Sequence, residues 1–79
     1  GTNSKQSAEV KIQANESTWQ IYSQHGYAIR AQVYNLSGSC VGEYFNQDQV
    51  IIDKSDFSRG VYLIKVHSLD GQSVFKVIK

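Results

Sequence analysis

Residues 61–79, VYLIKVHSLDGQSVFKVIK, decide the fold class. Two runs rich in β-branched and aromatic residues, 61–68 and 72–78, flank Asp70-Gly71. Asp-Gly between alternating apolar runs is a strong hairpin signal, because glycine accepts the left-handed backbone that a tight turn between twisted strands needs. In the first run Tyr62, Ile64 and Val66 share one side, and Val61 and Leu63 the other. Either set can face inward. Both faces are partly apolar, as a central strand of a sandwich allows.

The same grammar repeats towards the N-terminus. Lys54–Gly60, KSDFSRG, reads as a loop or one helical turn anchored by Phe57, and Gln49–Asp53 as a short strand. Gly60 is expected to permit a tight start to the next strand, where a Cβ would crowd the backbone. Ala28–Leu36 puts Ile29, Ala31 and Val33 inward against Arg30 and Gln32. Asn35-Leu36-Ser37-Gly38 then turns the chain, with Gly38 at positive φ, into Ser39–Phe45. There Val41 and Phe45 share a face with Glu43, which predicts a bulge or an edge position. Val41 and Phe45 are expected to face the core, leaving Cys40 exposed. Thr18–Gln24 aligns Trp19, Ile21 and Ser23, and Glu9–Ala14 aligns Val10, Ile12 and Ala14. These runs, spaced about ten residues apart, predict an all-β fold: a small antiparallel β-sandwich of about seven strands. Residues 1–8, GTNSKQSA, read as a linker or an expression remnant, and 9–79 as the domain.

Composition narrows function. Eight Lys+Arg against seven Asp+Glu leave a net charge of +1, which argues against nucleic acid or an anionic membrane as partner. No apolar run approaches the 18 or so residues of a membrane helix. A single cysteine excludes an internal disulfide and a cysteine-rich zinc site. No cofactor is expected. His25 and His67 lack a third ligand at compatible spacing, so no metal site is expected either. A Cys40–His nucleophile would need a pocket that a domain this small has little room for, and no catalytic residue is assigned. Asp48, Asp53, Asp56 and Asp70 lie at strand ends and turns, where Asp bonds nearby backbone N–H groups. Trp19, Tyr22, Tyr34, Tyr44 and Tyr62 either fill the core or offer a stacking platform for sugar rings. A carbohydrate- or surface-binding module is therefore an alternative function, and a fibronectin-like spacer a third. The exposed thiol and an open strand edge imply a monomer or weak dimer, covalent on oxidation. Finally, Ser73–Lys79 carries a regular strand pattern to the last residue, which implies that this end is read by a partner.

Three stretches resemble a known family. Residues 33–41, VYNLSGSCV, look like its hydrophobic-aromatic-Asp/Asn-x-x-Gly-x-x-Val hairpin. Residues 51–66, IIDKSDFSRGVYLIKV, resemble its Ile-Asp-x-Ser-x-Leu-x-x-Gly-Val-Tyr core, with Phe57 where leucine is usual. Residues 75–79, FKVIK, are similar to its basic last strand. The family is the type A C-terminal sorting domain of the type IX (Por) secretion system, and the likeness covers about residues 29 to 79. The chain has no proline and so departs from the Pro-Asn-Pro-like segment that usually precedes the first strand. The resemblance implies that the sandwich is Ig-like with Greek-key topology and that it is a non-enzymatic signal on a larger cargo protein. Its partners would be that upstream cargo and the shuttle, translocon and sortase components of the machinery. The cargo would cross the periplasm and the outer membrane to the cell surface or beyond. The sortase would then remove the domain and join the cargo to lipopolysaccharide, cutting within or just before residues 1–8. The signal residues carried over are Gly38, Asp53, Gly60, Val61, Tyr62, Lys65, Lys76, Val77, Ile78 and Lys79.

Overall fold

A computed structural model describes residues 8–79. Strand-forming runs become seven strands: β1 (Val10–Ala14), β2 (Thr18–Ser23), β3 (Ala28–Tyr34), β4 (Cys40–Gln47), β5 (Gln49–Asp53), β6 (Val61–Ser68) and β7 (Gly71–Ile78). A 3-10 turn at Lys54–Asp56 follows β5. The strands form two antiparallel sheets, ordered β1-β2-β5 and β4-β3-β6-β7. The chain crosses between sheets after β2, β4 and β5, which interlocks the two layers. The crossing after β4 takes one residue, Asp48, at φ 76°. Its N–H donates to Tyr27 O and its carbonyl accepts from Ser23 N, so the strained hinge is pinned on both sides.

The core lies between the sheets, and its members follow the two-residue period of each strand. Trp19 and Ile21 from β2 and Val50 and Ile52 from β5 meet Ile29, Ala31 and Val33 from β3 and Tyr62, Ile64 and Val66 from β6. Tyr62, Ile64 and Val66 are thus the inward set of β6. Phe57 closes one end of the core, as its anchoring role required. Gly38 takes φ 89°, and Asn35 Oδ1 accepts from the N–H groups of Ser37 and Ser39 around it.

Three expectations need correction. Val41 and Phe45 face solvent, and Phe45 is 71% exposed. Val33 pairs with Gly42 but Tyr34 with Cys40, so Val41 is the extra residue of a bulge. The bulge switches parity: beyond it the inward positions are Gly42 and Tyr44, and a Cβ on Gly42 would meet Phe57 Cζ at 3.2 Å. Cys40 is exposed as expected, but because it pairs with outward Tyr34 ahead of the bulge. Second, the β6–β7 turn is Leu69-Asp70, and Gly71 at φ 138° already pairs with Ser68. The glycine is needed one position later than a two-residue Asp-Gly loop would place it. Third, a Cβ at Gly60 would meet nothing within 4 Å, so crowding is not the reason for that glycine. Its φ of 155° is.

Candidate recognition surface

Strand β7 lies at the edge of the larger sheet. On one side it pairs with β6 throughout, from Ser68↔Gly71 to Val61↔Ile78. Among the described residues its other side is covered only at the start, where Ala8 N–H donates to Gln72 O at 3.3 Å and Ser73 Oγ donates to Ala8 O at 3.1 Å. Among the described residues, Val74–Ile78 has no strand on that side. An uncovered edge offers N–H and C=O groups to a pairing segment. Along this stretch Phe75 and Val77 pack against the core, while Val74, Lys76 and Ile78 point outward.

The candidate signal residues fall into separate groups. Asp53, Gly60, Tyr62 and Lys79 gather at one end of the sandwich. Asp53 caps the 3-10 turn by accepting from Ser55 N–H at 2.9 Å. Tyr62 OH donates to Ser58 O at 2.7 Å, and its ring packs edge-on to Phe57 at 5.4 Å. Lys79 closes the loop from both sides: its N–H donates to Gly60 O at 2.9 Å and its ammonium to Phe57 O. Val61 is half-buried opposite Ile78, and Val77 packs against the core. Lys65, Lys76 and Ile78 lie on the outer face of the larger sheet, and Gly38 lies in the β3–β4 turn. Lys76 and Lys79 are therefore not equivalent. One points into solvent and the other straps the chain end to a loop.

The outer face of the larger sheet holds residues the pattern did not single out. Phe45, Leu63, Val74 and Ile78 are all exposed there. Lys65 Nζ sits 5.6 Å over the Tyr34 ring, and Arg30 lies 3.9 Å from Glu43. The corresponding face of the smaller sheet is mainly polar, with Lys11, Gln13, Gln20, Tyr22 and Gln49 around one exposed aliphatic residue, Ile51. The two faces are thus chemically distinct, one cationic with aliphatic and aromatic groups, the other amide-rich. The sugar-platform alternative loses its geometry. Trp19 and Tyr62 are buried in the core, and the half-buried Tyr22 and Tyr34 lie on opposite outer faces.

A family profile described as a secretion system C-terminal sorting domain matches residues 4–79. The chain belongs to this family. No curated protein matched it in sequence. The sorting domain is a type IX secretion signal, so it engages the secretion machinery and directs export to the cell surface or the extracellular space. The family is one of signals, not enzymes. The match starts well before the residues that carried the resemblance and takes in β1 and β2.

Two local features of the sorting domain give measurable expectations. Gly60→Ala costs about 1–3 kcal/mol through backbone strain alone, since its Cβ has open space. Urea denaturation reads this, and an unchanged midpoint contradicts it. The Ser55 N–H bond holds the Asp53 carboxyl below its ordinary value of 3.8. A folded-state pKa below the unfolded one adds stability that is present above the ordinary value and lost as pH falls through the folded value. Asp53→Asn keeps an acceptor at the cap but removes the charge. Thermal melts below pH 3.8 are expected to show a flatter acid dependence in the variant than in the parent. Parallel curves would exclude this cap as a contributor.

Proposed function

We propose that the domain is the export address of a larger cargo protein, folded before it is recognised and carried folded through the periplasm to the outer membrane. The observation that supports this reading best is the family match together with the edge of Val74–Ile78, which no strand covers among the described residues. A shuttle or translocon component reads the strand by adding its own strand along that edge, where backbone groups supply affinity and outward Val74, Lys76 and Ile78 supply specificity. A sortase then cuts in the segment ahead of β1 and joins the cargo to lipopolysaccharide. Residues 1–7, where the cut is proposed, lie outside the described residues. Ala8, the last position of the proposed linker, is buried and hydrogen-bonded to β7. The cut therefore belongs ahead of Ala8.

The test is a secreted reporter carrying these 79 residues at its C-terminus, expressed in a cell with the type IX apparatus. The reporter is expected at the surface with the tag and in the periplasm without it. Periplasmic retention of the tagged reporter overturns the export reading. Mass spectrometry of the released domain locates the cut, and a terminus inside β1 or beyond overturns the placement.

A further inference from the structure

We propose that Glu9, His25 and Asp70 form a binding site for a borderline divalent cation of the Zn²⁺ type. The three residues are far apart in sequence and come from three different places in the fold. Glu9 precedes β1, His25 lies between β2 and β3, and Asp70 lies in the β6–β7 turn. One ligand atom from each lies within 4.8 Å of the others. An imidazole nitrogen and two carboxylates suit Zn²⁺, with water completing the tetrahedron. Ca²⁺ takes six to eight oxygens and gains little from the imidazole.

Two further observations support a cation here. First, the backbone around each ligand is already fixed. Asp70 Oδ2 accepts from Glu9 N–H at 3.1 Å, Glu9 O accepts from Gln24 N–H at 2.9 Å, and His25 N–H donates to Ser23 Oγ at 3.3 Å. Tyr27 packs beside the His25 ring at 5.7 Å. Such outer contacts orient ligands before the ion arrives. Second, the charges are unbalanced. Among the described residues neither carboxylate pairs with a lysine or arginine, and Glu9 has only His25 as partner. Asp70 Oδ1 is shut off from solvent and, among the described residues, faces no group but the Ser68 hydroxyl. Binding replaces the contact between His25 Nε2 and Glu9 by bonds from both to the metal ion, and a proton on Nε2 passes to solvent from the imidazolium or to Nδ1 from the neutral ring. The ion would staple the start of the domain to two turns, next to the segment that leads to the cargo. The proposal does not depend on how the sorting signal is read.

The experiment uses the untagged chain with Cys40→Ser, which removes the free thiol as a competing ligand, after treatment with a chelator. Thermal melts are run without metal, with excess Zn²⁺ and with excess Ca²⁺. The same melts are run on His25→Gln and on His67→Gln, which alters the other histidine. Excess Zn²⁺ is expected to raise the midpoint by about 5 °C or more, given the steep midpoint response of a small domain to ligand. The rise is expected to vanish in His25→Gln, to persist in His67→Gln and to be absent with Ca²⁺. Titration calorimetry of the Cys40→Ser chain is expected to give one Zn²⁺ per molecule, and Glu9→Gln to weaken binding about tenfold or more. Absence of a rise, an equal rise in His25→Gln, an equal response to Ca²⁺ or loss of the rise in His67→Gln each overturns the site.

Discussion

Deletion of Phe75–Lys79 is expected to abolish surface display of an attached cargo, and Lys76→Glu to reduce it about tenfold while leaving the fold intact. The two changes act on different links of the chain from structure to function. The deletion removes Phe75 and Val77 from the core and takes away the partners of Val61, Tyr62, Leu63 and Ile64 in the β6–β7 ladder. It also cuts both Lys79 bonds to the Phe57–Gly60 loop. Two apolar side chains at roughly 1.5–3 kcal/mol each when fully buried, plus several backbone bonds at about 1 kcal/mol, are comparable to the whole stability of a domain this size. The deleted form is expected to be unfolded, so its export failure alone does not identify a recognition surface. Lys76 does. It is exposed, faces outward beside Leu63 and makes no ion pair among the described residues. Reversing its charge costs the fold no more than about 0.5 kcal/mol. A tenfold drop in display corresponds to about 1.4 kcal/mol of lost recognition. The measurement is cell-surface labelling of the fused reporter alongside a melt of the isolated variant. Normal display of the deletion defeats the sorting reading of this strand. Normal display of Lys76→Glu leaves recognition to the backbone edge and removes the charge from it.

Much of the fold was legible because each strand carries its own signal. In β2 and β3 the apolar positions recur every second residue, and the aligned sets there match buried side chains, apart from half-buried Ser23 at the end of β2; in β6 the pattern left two faces open, and the structure buries Tyr62, Ile64 and Val66. Turn chemistry was equally local at Asn35, Gly38 and Asp53, which act within a few residues of themselves. Two things were not local. One was the consequence of the β3–β4 bulge. A bulge was expected in β4, but only its position, at Val41, says which residues it turns outward. The other was assembly across the fold. Glu9, His25 and Asp70 share no spacing that marks them, and the strap from Lys79 to Phe57 exists only because β7 ends beside the loop that leads into β6. The exposed apolar residues of the outer face, Phe45, Leu63, Val74 and Ile78, are hidden for the same reason, since they come from three different strands.

Trp19→Ala is expected to cost the fold about 3–5 kcal/mol, whereas Phe45→Ala changes stability by less than about 0.5 kcal/mol. Composition does not separate these two aromatic residues; position does. Trp19 is 1% exposed. Its ring lies 5.7 Å from Phe57 and 6.0 Å from Tyr62, with Lys54 Nζ 5.6 Å from its centroid. In register it sits between Ala14 of β1 and Ile52 of β5. Truncation removes the largest side chain of the core and leaves a cavity that the rigid rings of Phe57 and Tyr62 cannot fill, which costs about 3–5 kcal/mol. The tilted aromatic pairs add to this, at about 0.5–1.5 kcal/mol each. A domain of this length has about 4–12 kcal/mol in total, and a loss of this size lowers the thermal midpoint by about 12 °C or more. Phe45 is on the far side of the bulge, opposite Arg30 on the outer face, so its truncation opens no cavity. Urea denaturation followed by near-ultraviolet circular dichroism compares the two variants directly. A loss under about 1 kcal/mol for Trp19→Ala shows that the core is not locked around this ring. A loss above about 2 kcal/mol for Phe45→Ala restores the inward parity of β4 and removes the bulge from the explanation.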